Sequence, residues 1–215
     1  MNRINRTFRE TAEGPALYCR SGVLHIPLWR TDYIRIGSVK KTMRKAEMRD
    51  VEQVAAIFER IHDEEAAGRA TTGWLRTVYP VRQTAVDAVA RGDLFVEEED
   101  GVIVAAGIIN QIQVPEYALC QWRYDVPDET VMVLHTLVVD PAAGGRGHGK
   151  KFVRGYEAYA VGHGCPYLRM DTNEKNVRAR ALYAKLGYQE SSIVPCAFNG
   201  IPGVRLVCLE KKLNV

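Results

Sequence analysis

The sequence predicts an α/β fold, and three adjoining features carry that prediction. A β-branched apolar run, Val131 to Val139 (VMVLHTLVV), has the length and composition of a strand in a sheet interior. It empties through Asp140-Pro141 into a stretch that holds Gly144, Gly145, Gly147 and Gly149. A helical stripe follows at once, with Phe152, Tyr156 and Tyr159 or Ala160 on one face and Gly164 as its stop. Strand-like and helix-like segments alternate on both sides of this unit, as they do where helices cover a sheet.

Taken in order, residues 1–42 hold short extended pieces, Leu17 to Arg20, Val23 to Ile26 and Tyr33 to Ile36, with little apolar content to bury. They read as a small hairpin or a loose arm, so the chain divides into an N-terminal extension (1–42) and one domain (43–215). Asp50 is placed to cap a helix whose apolar face is Val51, Val54, Phe58 and Ile61, with Gln53 reaching back, and which fades near Ala67-Gly68. A segment with Trp74, Tyr79 and Pro80 leads to a second helix, about Val81 to Arg91, closed by Gly92. Leu94 to Glu98 and Val102 to Ile112 pair as a hairpin about Asp100-Gly101. Residues 113–130, with two prolines and the aromatics Tyr117, Trp122 and Tyr124, read as a long loop with short extended pieces. After the central unit come a strand (Tyr167 to Asp171), a helix (Asn176 to Leu186) stopped by Gly187, and an antiparallel pair (Gln189 to Val194, Val204 to Lys211) about an Asn199 to Gly203 turn.

A length of 215 residues and an apolar fraction of 47% suit one well-packed domain or a domain with an appendage. The net charge of +3 is too small to argue for nucleic acid, and its positive excess lies in residues 1–42. Five cysteines, odd in number and without a C-x-x-C pair, suggest neither a disulfide framework nor a zinc site. They read as reduced thiols of a cytoplasmic protein, with no metal expected. No apolar run approaches the roughly 18 residues of a membrane span, and no signal peptide opens the chain.

A strand that runs through glycines into a helix start is a device for holding phosphates. The loop backbone closes around the anion, and the unpaired first-turn amides face the same spot. Gly144 to Lys150 also spells the GxxxxGK of a P-loop, but Lys151 stands where the magnesium-binding hydroxyl belongs.

Residues 144–149 fit the glycines of the diphosphate loop of the GNAT family of N-acetyltransferases, whose pattern is Gln or Arg, two residues, Gly, one residue, Gly or Ala. The Gln or Arg falls on Gly144, so Arg146 has to make up the charge. A second motif follows at the family's distance: Asn176, Ala181-Leu182-Tyr183 and Gly187-Tyr188 resemble its Asn, Ala-Leu-Tyr, Gly-aromatic pattern. The resemblance covers residues 43 to about 212. It implies a central mixed, twisted sheet of about six or seven strands, splayed between the fourth and fifth and flanked by about four helices.

The resemblance further implies an acyltransferase that moves the acetyl group of acetyl-CoA to a primary amine of a small molecule or peptide. Leu137, Val138 and Val139 would bind the cofactor through main chain. Gly144, Gly145, Arg146, Gly147, His148, Gly149 and Lys150 would hold its diphosphate, and Asn176 its arm. Tyr183 would protonate the departing sulfur, since a phenol stays un-ionised at rest and can still donate. The base is left between Asp171, at the strand end, and His135, inside an apolar strand, or solvent. The two-helix region and the long loop would shape the acceptor pocket, with His62, Glu65, Trp74 and Trp122 as contacts beside Glu64, Arg69 and Glu116. A non-catalytic acyl-CoA-binding regulator or a nucleotide-binding protein would share the loop. A homodimer is compatible with the sequence, and no membrane or nucleic-acid partner is expected.

If the domain begins at Met43, removing residues 1–42 leaves the melting temperature within a few degrees; a thermal scan of the shortened chain checks this.

Overall fold

The structure is a computed structural model that describes residues 43–214, so the expectation for residues 1–42 lies outside the described residues. The apolar runs become strands and the helical stripes become helices. In chain order these are β1 (Met43–Lys45), α1 (Val51–Ala66), α2 (Arg82–Arg91), β2 (Leu94–Glu99), β3 (Val102–Asn110), β4 (Val131–Val139), α3 (His148–Gly162), β5 (Tyr167–Asn173), α4 (Val177–Lys185), β6 (Gln189–Phe198) and β7 (Ile201–Lys212).

The strands form one seven-stranded sheet in the order β1-β2-β3-β4-β5-β7-β6. Every neighbouring pair is antiparallel except β4 and β5, which run parallel. That pair is joined only from Val131 opposite Tyr167 to Leu134 opposite Met170. Beyond it β4 stays with β3 as far as Val139, and β5 stays with β7 as far as Asn173. The two strands therefore part over their C-terminal halves, and the backbone edges of residues 136–139 and 171–173 face each other across a gap.

An extra residue in β4 lies at the point of parting. Ala106 pairs with Val138 and Ile108 with His135, so Thr136 and Leu137 together oppose the single Gly107. Thr136 adopts φ 50°, a left-handed conformation unfavourable for a β-branched residue. Its hydroxyl is hydrogen-bonded to that of Tyr79. Gly107 is required because a Cβ there would come 2.8 Å from the ring of the fully buried Phe152.

Helices cover both faces. Val54, Ile57 and Phe58 of α1 with Ala85 and Ala88 of α2 pack on Val96, Ile103, Ile108 and Val138. Phe152 and Tyr156 of α3 with Tyr183 of α4 pack on Phe95, Ala105, Met132, Leu134, Leu168 and Met170. Gly155 gives α3 a notch for Met43, whose Sδ would lie 2.9 Å from an added Cβ. A third cluster joins Tyr117 to Val133, Val194, Leu206 and Cys208.

Four local expectations are corrected. Asp50 does not cap α1 through its side chain; its carboxylate accepts from Glu47 N at 2.8 Å and pairs with Arg44 at 2.6 Å. Gln53 instead accepts from Ile103 N at 3.1 Å, tying α1 to β3. The β6–β7 connection is two residues, not five: Asn199 and Gly200 sit at φ 47° and 84°, the combination a tight hairpin turn needs, so the strands run on through Pro195 and Pro202. Residues 113–130 carry single 3-10 turns at Pro115–Leu119 and Asp128–Thr130 where extended pieces were expected.

Gly107→Ala is expected to destabilise the protein by about 1–3 kcal/mol, because a rigid buried ring must move to admit one methyl; chemical denaturation measures it.

Candidate active site

The gap between the diverging strands is a narrow cavity of about 130 Å³ lined by residues 136–139 of β4, Asp171 to Asn173 of β5, Asn176, Ala179 and Tyr183. Because β4 and β5 no longer pair there, their main-chain amides and carbonyls are available to an extended ligand with amide groups of its own. Asn176 caps α4, its Oδ1 accepting from Ala179 N at 3.2 Å.

At the end of β4, Asp140 fixes the course of the glycine loop. It accepts from Ala142 N at 3.0 Å and from the guanidinium of Arg60 at 2.9 and 2.8 Å, which ties the loop to α1. Gly145 and Gly147 take φ 78° and 86°, where a side chain would be strained. Gly149 lets α3 approach closely, since a Cβ there would stand 3.3 Å from Leu182 and 3.6 Å from Val139. The amides of the first turn of α3 have no acceptor within the helix and stand at its positive end.

A second cavity, of about 620 Å³, adjoins the first. Tyr79, Thr84, Asp87 and Arg91 line it from the α2 side, Ile108, Asn110, His135 and Thr136 from the sheet, and Glu116, Asp171 and Cys196 from the other flank. Thr136, Asp171 and Leu206 belong to both cavities.

Asp171 accepts from the Tyr117 hydroxyl at 2.9 Å. Burial pushes its carboxyl up to about 6, against the lowering effect of that hydrogen bond, and the charge of Glu116 adds to the rise. The Tyr183 phenol is raised well above its ordinary value by burial and by the charge of Asp171, so it stays protonated at working pH. His135 is pushed down to about 4 by burial, and its Nε2 lies 3.1 Å from Asn110 Oδ1.

A family model described as "Acetyltransferase (GNAT) family" matches residues 55–188, which include the loop, both strands of the gap and α4. The chain belongs to the GNAT acetyltransferase family.

Solved structures agree. A GNAT-family acetyltransferase from Streptococcus agalactiae is 26% identical, with TM-score 0.69 over 80% of this chain and 95% of that one. Two more distant structures share the fold. The ribosomal-protein-S18-alanine N-acetyltransferase of Escherichia coli is 17% identical, with TM-score 0.56 over 81% of this chain and 94% of that one. A Salmonella typhimurium protein solved with its cofactor acetyl-CoA is 18% identical, with TM-score 0.57 over 80% and 94%. No curated protein matches the sequence.

Among the described residues, seven strands and four helices in this arrangement bear out the GNAT fold expected from the motifs. The structure brings Leu137, Val138, Val139, Asn176, Asp171 and Tyr183 to one gap, with His135 in the adjoining cavity. Within the loop, two side chains turn away from the part expected of them. Arg146 pairs with Glu99 at 2.9 Å, and His148 is buried against Glu97 at 3.0 Å, which leaves main chain to face an anion there. Lys151, at the hydroxyl position of a P-loop, pairs with Glu97 at 2.9 Å, so the magnesium site of a nucleotide-binding protein is not built.

Among the expected acceptor contacts Glu116 lines the second cavity, and Trp74 reaches the first, the gap between the strands. His62 is corrected: it is buried, with Nε2 2.9 Å from the Pro80 carbonyl, and supports the turn into α2. Trp122 is corrected as well. It donates to the Tyr117 carbonyl at 3.0 Å and stacks on Arg169, anchoring the long loop. Glu65 holds its own loop by accepting from Thr72 N at 2.8 Å and Gly73 N at 3.0 Å, and Glu64 pairs with Arg69.

Sequence reading missed Tyr79, Asp87, Arg91 and Asn110 as residues of the second cavity, and Tyr117 as the partner of Asp171. Thr84, Asp87 and Arg91 did carry a signal, since spacings of three and four put them on one polar face of α2. Tyr117 carried none, because its pairing spans 54 positions.

Proposed function

We propose that this GNAT enzyme transfers the acetyl group of acetyl-CoA to a primary amine of a small molecule or peptide, by direct attack with both substrates bound. The observation that carries the reading is the meeting of the two cavities at Thr136 and Asp171, with Tyr183 on the cofactor side of that junction. The residues present fit the cofactor: an unpaired strand edge at 137–139 for the arm, and a glycine cradle whose Gly145 and Gly147 have nothing within 4 Å of an added Cβ. Acetyl-CoA supplies the activated acetyl group when bound.

The amine reaches neutral solution largely as an ammonium, with a pKa of roughly 10 if lysine-like. Asp171 removes the proton. Its carboxyl, raised to about 6, is ionised at neutral pH yet a better acceptor than an ordinary aspartate. His135, pushed down to about 4, is a weaker acceptor than Asp171 and serves by shaping the cavity floor. The hydroxyl of Tyr183 holds a proton at the gap for the departing sulfur. The carboxylates of Glu116 and Asp87 favour a cationic acceptor over an anionic one.

Thiol release over a panel of amines tests the activity. Tyr183→Phe keeps the packing and is expected to lower turnover by about 10² to 10⁴; an unchanged rate removes the phenol from the chemistry, and release with no amine removes the reaction. Because the working form of Asp171 is the ionised one, kcat/KM is expected to rise with pH through an acid limb near 6. The Tyr117 hydrogen bond lowers that pKa, so Tyr117→Phe moves the limb upward, and a pH–rate profile of the two proteins reads the shift.

A further inference from the structure

Beneath the glycine loop lies a carboxylate that the chemistry above does not use. Glu97, Ala105 and Val139 are in register across β2, β3 and β4. Glu97 thus stands two strands away from the start of the loop and level with it. The pairing of β2 with β3 shifts immediately after it, between Glu97 and Glu98. The side chain is fully buried, at 0% exposure.

An acidic group in that setting costs several kcal/mol unless it is paired, and both of its partners come from the first turn of α3. Glu97 Oε1 takes His148 Nδ1 at 3.0 Å and Lys151 Nζ at 2.9 Å. A carboxylate oxygen only accepts, so Nδ1 carries the imidazole proton. Two atoms of this cluster, Glu97 Oε2 and His148 Nε2, are buried without a hydrogen-bond partner. Glu99 Oε2 stands 3.8 Å from Nε2, too far for a hydrogen bond, and Glu99 is itself taken by Arg146 at 2.9 Å. Packing alone does not account for an acid kept where an apolar side chain would cost less.

We propose that Glu97 is a positioning residue for the cofactor's diphosphate. By drawing the His148 ring and the Lys151 head down against the sheet, it fixes the first turn of α3 with those side chains out of the mouth of the cradle and the amides facing it. Without the carboxylate the His148 ring and the Lys151 ammonium lose their shared anchor, the helix start loosens, and the amides no longer converge on one point. This rests on the reading that the loop takes the diphosphate of acetyl-CoA.

Glu97→Gln keeps the shape and removes the charge. Calorimetric titration with coenzyme A is expected to show a Kd raised about tenfold, the worth of one charge-assisted hydrogen bond. With the best amine of the panel, kcat at saturating acetyl-CoA stays at the wild-type value while KM rises. Acetyl-pantetheine, which has the thioester and the arm but no diphosphate, is turned over by the variant as by the wild type. An unchanged coenzyme A affinity in the folded variant, or an equal loss with both thioesters, overturns the proposal. Should Glu97→Gln not fold, His148→Gln decides: a raised Kd for coenzyme A supports the anchor, and the wild-type value overturns it. A wild-type protein that binds no coenzyme A sinks the reading of the loop itself, whereas wild-type binding with an indifferent Glu97→Gln sinks only the anchor.

Discussion

The short parallel contact between β4 and β5 is the constraint on which the rest of the molecule depends. Four residue pairs hold the strands together, and then one additional residue in β4 forces them apart. The cost is concentrated at Thr136, whose left-handed backbone is worth on the order of 1–3 kcal/mol of strain. The surroundings hold it there: Tyr79 bonds its hydroxyl, and Gly107 opposite has no side chain to push back against Phe152. An uninterrupted pairing would satisfy every backbone group of both strands. It would also leave no unpaired edge for a ligand and no junction at Asp171.

Electrostatic arrangement follows from this geometry. The strand end that diverges carries Asp171 into a partly enclosed position with one hydrogen bond, so its proton is held more tightly than an aspartate in water would hold one. The same enclosure keeps Tyr183 neutral. Two groups placed a helix apart in sequence are thereby shifted in the same direction, each holding its proton more tightly than in water. The glycine loop adds a third element. Its side chains at 146, 148 and 151 are each matched with an acid of β2, and its left-handed glycines leave the backbone as the exposed surface.

Much of this was legible in the amino-acid sequence, and the division has a physical basis. The strand Val131 to Val139, the loop, and the helix with Ala181-Leu182-Tyr183 are local patterns in which periodicity and glycine placement specify the backbone, and the structure reproduces them. The second cavity is different. It is assembled from α2, the end of β3, the long loop and the β6–β7 hairpin, so its lining depends on contacts between distant segments. His62 and Trp122 illustrate the difficulty: polar-tipped residues on the expected elements that turn inward to satisfy a carbonyl apiece. Asp50 illustrates a smaller one, since Arg44 offered its carboxylate a stronger partner than a helix amide.

The notch at Gly155 has a practical side. Met43 plugs it from β1, and the residue across the ladder from Met43 is Glu97. A fusion tag or linker joined directly at that methionine would therefore act as a lever, prying on the helix that presents the cradle, while one attached several positions upstream would leave the plug seated. Anyone immobilising or labelling this enzyme should accordingly keep a spacer ahead of that strand.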